Sequence, residues 1–204
     1  MVLQAERLEC IRDGQLLFSE ISFTLQAGEI LHVTGANGSG KSSLLEIIVG
    51  ILMPEQGRVC WQQQAIHAGN TDFLTQLQYI GHKTGVKSHL TVLENLRLAA
   101  HLYDAPGPWQ WSDILSYFSL NDLQQVLCTK LSAGQRQRVA LTRLLLSTAL
   151  VWVLDEPFTA IDHAGCRILQ QLLLEHTARG GLIVLTSHQS LQLEGKVVKR
   201  LELD

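Results

Sequence analysis

The sequence predicts an α/β fold with a mainly parallel sheet, an N-terminal antiparallel β subdomain and an all-helical insertion at roughly 90–148. Three observations support this prediction. Apolar residues alternate with period two in the first stretch, which is typical of strands with one buried face. From Thr91 onwards the apolar spacing becomes helical, and Thr91 and Glu94 fit a capping box. The unbroken apolar run 150–154 is typical of a strand buried on both faces of a parallel sheet.

The predicted elements have recognisable boundaries. The alternation at 17–25 ends at the turn Ala27-Gly28, and Gly180-Gly181 separates the last predicted helix from two further strands. Pro106-Gly107-Pro108 ends the predicted helix 95–102, and Asn121 is a predicted N-cap. The predicted strands are 17–25, 29–34, 59–61, 65–66, 150–154, 182–185 and 197–203, and the predicted helices are 43–49, 95–102, 111–118, 123–127, 132–146 and 163–178.

Composition and charge favour one globular domain over residues 1–204. The chain is 46% hydrophobic and 17% charged, which suits a single domain with a substantial core. A net charge of −3 and a pI near 6.2 argue against a dedicated nucleic-acid binder, because such proteins are usually basic. Residues 1–7 lack the basic and apolar regions of a signal peptide. The longest apolar run, 144–154, is about half the length that spans a bilayer, so we expect membrane association only through a partner.

The cysteines and histidines form no motif for metal binding or redox chemistry. The histidines show neither H-E-x-x-H nor H-x₃₋₅-H spacing. The cysteines are scattered without a C-x-x-C pair, so we expect small core residues in a reducing compartment. These cysteines are Cys10, Cys60, Cys128 and Cys166.

A phosphate-binding loop lies between the predicted strand 29–34 and the predicted helix 43–49. Its sequence fits G-x-x-x-x-G-K-[ST] at every fixed position. Backbone N–H groups of such a loop, together with the following helix N-terminus, form an anion site. In this motif Lys41 reaches the β- and γ-phosphates, and Ser42 ligates Mg²⁺. The predicted nucleotide-binding residues here are Gly35, Ala36, Asn37, Gly38, Ser39, Gly40, Lys41, Ser42 and Ser43.

Two carboxylates follow the apolar run 150–154. A carboxylate at the C-terminal end of a parallel strand lies in the ligand crevice of such sheets. Downstream of a phosphate loop, Asp155 is predicted to hold Mg²⁺ through water, and Glu156 to polarise the attacking water as general base. A nucleotide and Mg²⁺ are therefore the predicted ligands.

A second anion-binding motif opens the helix before that strand. Leu131-Ser132-Ala133-Gly134-Gln135 combines small residues with a capping box between Ser132 and Gln135. In this motif the chain resembles the ATP-binding cassette (ABC) family, whose signature is L-S-G-G-Q, with Ala133 in place of the first glycine. The resemblance covers essentially the whole chain. It implies a RecA-like P-loop NTPase fold with an inserted α-helical ABC subdomain, in a single ABC ATP-binding domain over 1–204.

The resemblance also implies a homodimer. In the family, the signature of one subunit contacts the γ-phosphate held by the phosphate loop of the other, so ATP is bound between two copies. The signature residues implied to act in trans are Ser132, Ala133, Gly134 and Gln135. Asp162 matches the D-loop aspartate, and His188 matches the switch histidine that contacts the γ-phosphate. His188 and Glu156 are thus the implied catalytic pair.

The chain departs from the ABC pattern at two positions. The aromatic residue that stacks on adenine falls by spacing near Ile11-Arg12, where Arg12 either stacks its guanidinium on the base or is a solvated loop charge. The Q-loop glutamine position holds His82, followed by Lys83. A neutral imidazole can face Mg²⁺ or water, whereas a lysine cannot ligate a cation. The Q-loop role of His82 is therefore open.

A narrower resemblance rests on the segments 80–87, 90–96, 131–144 and 155–162. They are similar to the ATPase subunits of the haem exporters of bacterial cytochrome c maturation, although those carry His-Gln where this chain has His82-Lys83. The resemblance implies integral-membrane partner subunits of that system, a peripheral position on the cytoplasmic face of the inner membrane, and release of haem-loaded chaperone. No direct haem site and no nucleic-acid partner are expected.

Two other functions stay open from the sequence. One is a small-cassette ABC exporter of another cargo. The other is a soluble ABC ATPase that acts on nucleic acid or ribosomes, although such proteins usually fuse two cassettes or insert long coiled coils. The apolar residues of 93–103 either contact a membrane partner or pack in a helical core.

Overall fold

The computed structural model describes residues 1–67, 70–103, 110–188, 191, 193, 195 and 198–203. Its strands are β1 Val2–Arg12, β2 Gln15–Gln26, β3 Ile30–Gly35, β4 Gln56–Trp61, β5 Gln64–Ala65, β6 Leu77–Ile80, β7 Val151–Leu154, β8 Leu182–Thr186 and β9 Val198–Leu203. Its helices are α1 Lys41–Ile48, α2 Thr71–Leu74, α3 Val92–Leu102, α4 Trp111–Tyr117, α5 Ala133–Thr142 and α6 His163–Ala178. Short 3₁₀ turns span Asn121–Leu123, Cys128–Lys130 and Arg143–Leu145. The predicted break at Pro106-Gly107-Pro108 and the predicted strand start at Val197 lie outside the described residues.

The chain divides into two compact units. The first comprises Met1–Tyr79, Ala149–Glu156 and Leu173–Asp204. The second comprises Ile80–Thr148 and Pro157–Leu172. The prediction of one ABC domain over 1–204 stays a prediction.

The strands form two sheets, as the sequence predicts. The antiparallel sheet has the order β2-β1-β4-β5, and the second sheet has the order β6-β7-β8-β3-β9. In the second sheet β8 pairs in parallel with both β7 and β3, and β3 pairs in parallel with β9. Every residue of β7 is buried, which confirms the interpretation of the apolar run. The carboxyl ends of β3, β7 and β8 therefore meet at one edge, where ligands bind in sheets of this kind.

The core of the first unit lies around α1 and the strands beside it. Leu44, Leu45 and Ile48 on α1 are fully buried in one apolar cluster with Val33 of β3 and Val184 of β8. Burial of large aliphatic side chains contributes about 1.5–3 kcal/mol each. This packing fixes the start of α1 against the end of β3, which sets the geometry of the loop between them.

The second unit is mainly helical, and its first helix, α3, is well capped. The Thr91 hydroxyl accepts from the Glu94 N–H at 3.2 Å, and the Glu94 carboxylate accepts from the Thr91 N–H at 2.7 Å. The predicted capping box of α3 is thus confirmed. Asn95 donates to the Lys87 carbonyl at 3.0 Å and accepts from the Lys87 N–H at 2.7 Å, which holds the segment before α3 in place.

The predicted helix 123–127 is wrong. Only the 3₁₀ turn Asn121–Leu123 forms, and Leu120 rather than Asn121 is its N-cap. The backbone beyond it pairs instead with the start of α3, since the N–H groups of Val92 and Leu93 donate to the carbonyls of Val126 and Gln124. Tertiary pairing outweighs the local helical tendency here.

The predicted helix 132–146 is shorter in the structure. It comprises α5, which ends at Thr142, and the 3₁₀ turn Arg143–Leu145. The Arg143 side chain donates to the carbonyl oxygens of Ala140 and, at 2.6 Å, of Thr84. Arg143 therefore ties the end of this helix to the segment that contains His82.

Two expectations from composition can be checked against the described residues. Within them, no helix is both long enough and apolar enough to cross a membrane. Cys10, Cys60 and Cys128 are buried and free, as predicted, whereas Cys166 is partly exposed.

Candidate nucleotide-binding site

The phosphate loop connects the end of β3 to the start of α1. Gly40 is the N-cap of α1 and has φ 92°, in the left-handed region that favours glycine. A Cβ at Gly40 would also come within 2.9 Å of the Phe18 ring. The loop therefore needs glycine at this position, and it leads the chain into the positive end of the α1 dipole.

Lys41 lies across its own loop. Its Nζ donates to the carbonyl oxygens of Gly35 at 2.9 Å and Ala36 at 2.8 Å, and the residue is only 8% exposed. The ammonium is thus held within the loop and already makes hydrogen bonds to oxygen acceptors there. Phosphate oxygens are acceptors of the same kind and can replace these carbonyls as partners of the ammonium.

Ser42 and Asp155 are in direct contact. The Ser42 hydroxyl donates to Asp155 Oδ2 at 2.8 Å, and Asp155, directly after β7, is buried. The structure therefore brings together the two residues that the sequence predicts to hold Mg²⁺. A hydroxyl and a carboxylate are oxygen donors of the kind that Mg²⁺ takes, and one or two such groups suffice beside substrate phosphates. The donor set fits the cation.

Glu156 is held in an unusual backbone conformation. Its φ is 48°, in the left-handed region, and its N–H donates to the Thr186 hydroxyl at 2.8 Å. The same hydroxyl donates to Asp155 Oδ1 at 2.7 Å. Sequence reasoning missed Thr186. Its signal is a hydroxyl-bearing, β-branched residue at the end of a buried strand, two positions before His188.

His188 faces the Glu156 carboxylate. His188 Nε2 lies 3.5 Å from Glu156 Oε1, and the two side chains are 55% and 19% exposed. Oε1 is buried and accepts no hydrogen bond from the part of the chain that the structure describes. An acceptor oxygen without a donor, next to an exposed imidazole, suits a group that takes a proton from water.

His32 of β3, which the sequence did not single out, supports the end of β8. His32 is buried, and its Nε2 lies 3.2 Å from the Ser187 carbonyl oxygen, directly before His188. Because a carbonyl only accepts, Nε2 carries the proton in this contact. Burial lowers the pKa of His32, and the bond to Ser187 opposes this shift. A neutral imidazole therefore anchors the chain beside His188.

Arg12 lies against the first turns of α1. Its Nη1 donates to the Ser43 hydroxyl at 3.4 Å and lies 3.6 Å from Glu46 Oε2, and its side chain is 57% exposed. Arg12 is thus near the phosphate loop and open to solvent. Stacking of its guanidinium on adenine stays a prediction.

The signature motif forms the start of α5 in the second unit. The Ser132 hydroxyl accepts from the Gln135 N–H at 3.1 Å, and Gln135 Oε1 accepts from the Ser132 N–H at 2.8 Å. The predicted capping box is confirmed, and among the described residues the Ser132 hydroxyl has no hydrogen-bond acceptor. Ser132 and Ala133 are exposed. A Cβ at Gly134 would collide with the Ala160 carbonyl oxygen, so glycine is required there.

Asp162 links the D-loop to α5. Its Oδ2 lies 2.7 Å from Arg138 Nη2, and its Oδ1 accepts from the Gly165 N–H at 2.9 Å. The hydrogen bond from Gly165, with a further contribution from Arg138, lowers the pKa of Asp162. Within the second unit, the D-loop and the signature helix are thus joined by an ion pair and by the close approach at Gly134.

His82 is exposed in the segment that Arg143 and Asn95 hold. Its role in place of the Q-loop glutamine stays a prediction. Of the apolar residues of α3, Leu93 and Leu96 are buried, whereas Leu98 and Leu102 are exposed. The helix therefore has both a packed face and an open apolar face.

Comparison with known proteins agrees with this geometry. The family described as "ABC transporter" matches residues 18–159. The chain belongs to this family. As an ABC cassette it is an ATP-hydrolysing enzyme, and its predicted fold class and enzyme class are confirmed.

The cassette is similar to curated relatives over nearly its whole length. It is 44% identical over 203 residues to the "Cytochrome c biogenesis ATP-binding export protein CcmA" of Idiomarina loihiensis, covering 100% of this chain and 93% of the relative. It is 43% identical to the protein of the same name from Escherichia coli K12, covering 99% and 96%. The narrower resemblance seen in the sequence is therefore confirmed.

Solved structures share the fold of the cassette. An ATP-binding subunit of an ABC transporter superimposes with a TM-score of 0.79 at 26% identity, covering 92% of this chain and 80% of that one. A dimeric ATP-binding cassette in a post-hydrolysis state, bound to ADP and Pi, superimposes with a TM-score of 0.77 at 22% identity, covering 92% and 88%.

Proposed function

We propose that this cassette is the ATP-hydrolysing subunit of a transporter for cytochrome c biogenesis, a haem exporter whose ATPase cycle powers release of haem-loaded chaperone. The observation that carries the proposal is the 43–44% identity to the CcmA export proteins over nearly the full length of both chains. We further propose that it is a peripheral subunit on the cytoplasmic face of the inner membrane. Integral-membrane subunits of the same system are its partners.

ATP binding uses the loop and the start of α1. Backbone N–H groups of the loop and the dipole of α1 attract the phosphates, and Lys41 Nζ exchanges its carbonyl partners for phosphate oxygens. Ser42 and Asp155 would hold Mg²⁺, which would neutralise charge on the phosphates. Arg12, the last residue of β1, lies against the first turns of α1 and offers a planar cation to the base.

Hydrolysis uses Glu156 and His188. Glu156 Oε1 takes the proton of the attacking water, because it is a buried acceptor at the edge of the sheet. His188, 3.5 Å from that oxygen, donates a hydrogen bond to the γ-phosphate. ATP binding and hydrolysis in one subunit do not by themselves explain transport. The ATPase cycle must also change how the subunits associate.

The assembly that changes is a homodimer. The Ser132 hydroxyl donates to no described residue of its own chain, and it lies at the N-terminus of α5 beside Gly134. That surface is an anion site of the kind that binds a γ-phosphate. One copy of the chain supplies the phosphate loop, and a second copy supplies the signature. An isologous pair closes two such sites with one sequence. ATP favours the closed dimer, and loss of the γ-phosphate lets it open.

Ser132→Asp tests whether the signature acts in trans. Aspartate is as good an N-cap as serine, so α5 should stay folded, but its charge repels the γ-phosphate. We expect ATP binding by the isolated subunit to stay within about threefold and turnover to fall about tenfold or more. Turnover is measured by phosphate release and binding by titration. Ser132→Asn, a neutral N-cap, is the matched control and should lose less.

Mixing variants extends this test. In a mixture of Ser132→Asp with Lys41→Ala, heterodimers contain one site with an intact Lys41 and an intact Ser132. Half of randomly paired dimers are mixed, so we expect recovery to about a quarter of wild-type turnover. Wild-type turnover of Ser132→Asp alone would show that the signature does not act on the γ-phosphate.

The transport role is tested in cells that lack this gene. We expect them to lose c-type cytochromes, detected by haem staining of denaturing gels, while b-type cytochromes measured spectroscopically persist. Plasmid-borne wild-type protein should restore the c-type cytochromes, and a Glu156→Gln variant should not. Normal c-type cytochromes in the deletion strain would contradict the proposal and favour an exporter of another cargo. Stimulation of the purified ATPase by nucleic acid would favour the soluble class.

A further inference from the structure

Thr186 lies between the two carboxylate residues of the site. It is the last residue of β8 and is fully buried. Its hydroxyl donates to Asp155 Oδ1 at 2.7 Å and accepts from the Glu156 N–H at 2.8 Å. The Thr186 side-chain oxygen thus contacts both Asp155 and Glu156, the two residues that follow β7.

The direction of these hydrogen bonds is determined by their partners. A backbone N–H only donates, so the Thr186 oxygen must accept from Glu156. An ionised carboxylate only accepts, so the single hydroxyl hydrogen goes to Asp155. Both capacities of the hydroxyl are therefore used, and both are needed. A methyl group in its place could provide neither.

The backbone of Glu156 gives this contact its importance. A non-glycine residue with φ 48° is held in a sparsely populated region. Such conformations persist only where the surroundings over-determine them. The bond from the Glu156 N–H to Thr186 is a contact of this kind. It fixes the backbone position from which the Glu156 side chain extends.

The same hydroxyl also orients Asp155. Asp155 uses Oδ2 for the Ser42 hydroxyl and Oδ1 for Thr186. If the Ser42 hydroxyl took another partner, Oδ1 of Asp155 would still be held by Thr186. A rigid strand end, rather than a loop, supplies this hold.

We propose that Thr186 is a positioning residue for ATP hydrolysis: its hydroxyl fixes Glu156 in its left-handed conformation and holds Asp155 in register with it. The proposal rests on the proposed role of Glu156 as general base. Thr186 does not touch the nucleotide and acts through the two carboxylate residues. Hydrolysis therefore depends on it much more than ATP binding does.

Thr186→Val is the test, because valine keeps the shape and β-branching and removes only the hydroxyl. We expect the turnover number at saturating ATP and Mg²⁺ to fall about tenfold or more, since the part-buried Glu156 N–H loses its acceptor. The dissociation constant for ATP, titrated without Mg²⁺, should change less than about threefold. Because bound ATP is cleaved more slowly, Thr186→Val should also accumulate as an ATP-dependent dimer, as measured by light scattering.

Two further variants separate positioning from mere stability. Thr186→Ser keeps the hydroxyl and should restore turnover to within about threefold of wild type. Thr177→Val removes another buried hydroxyl, one that donates to the helix carbonyls of Leu173 and Leu174, and should leave turnover unchanged. Wild-type turnover of Thr186→Val would overturn the proposal. A loss of ATP binding in proportion to the loss of turnover would also overturn it.

Failure of this inference differs from failure of the proposed function. If Glu156→Gln is inactive while Thr186→Val is normal, only the positioning role is wrong. If Glu156→Gln turns over normally, the general base is elsewhere and the positioning role fails with it.

Discussion

Glu156→Gln should abolish ATP turnover, leave ATP binding intact and cause the protein to accumulate as an ATP-bound dimer. Glutamine has nearly the volume of glutamate and can keep the N–H bond to Thr186 at φ 48°. Its amide cannot take a proton from water, so only the general base is lost. General base catalysis contributes about 10²–10⁴-fold, and we expect a loss in that range. Phosphate release measures turnover, and light scattering with ATP and Mg²⁺ measures the dimer.

Accumulation of the dimer is the more specific part of this expected result. If ATP joins two copies and its hydrolysis separates them, blocking hydrolysis alone must shift the population to the closed state. Glu202→Gln, on the exposed part of β9, is the matched control and should behave as wild type in both assays. Wild-type turnover in Glu156→Gln would remove Glu156 as the base. A monomer with bound ATP would contradict the proposed link between ATP and dimer closure.

The sequence predicted the parts of the site that depend on short motifs. A phosphate loop combines strand, glycine turn and helix within about a dozen residues, so its local pattern determines its geometry. The structure brings Ser42 and Asp155 within hydrogen-bond distance although 113 positions separate them. That contact was predictable because the ends of parallel strands share one edge of a sheet.

The residues that the sequence missed act through tertiary contacts. Thr186 and His32 resemble ordinary strand residues, and only the pairing of β8 with β7 and β3 shows what their side chains reach. The wrong helix at 123–127 has the same origin, because its backbone pairs with the start of α3 rather than with itself. Periodicity reports local tendency and contains no information on such partners.

Lys41→Ala should abolish ATP binding. Two charge-assisted hydrogen bonds from its ammonium to phosphate oxygens contribute about 3–6 kcal/mol together. Their loss raises the dissociation constant for ATP about 10²-fold or more, since every 1.4 kcal/mol is about tenfold. Titration with ATP, with and without Mg²⁺, measures the change. Arg12→Ala should raise the constant only about two- to fivefold, because an exposed cation–π contact contributes about 0.5–1 kcal/mol.

The effect of Lys41 on the stability of the loop must be separated from the effect of its charge on ATP affinity. In the structure Lys41 also satisfies the Gly35 and Ala36 carbonyls, so its removal costs stability as well as affinity. Lys41→Met keeps most of the aliphatic stem and removes the same charge, and it should bind ATP as poorly as Lys41→Ala. Thermal unfolding of both variants then reports how much of the loop depends on the ammonium. Wild-type affinity in either variant would contradict the assignment of residues 35–42 as the phosphate-binding loop.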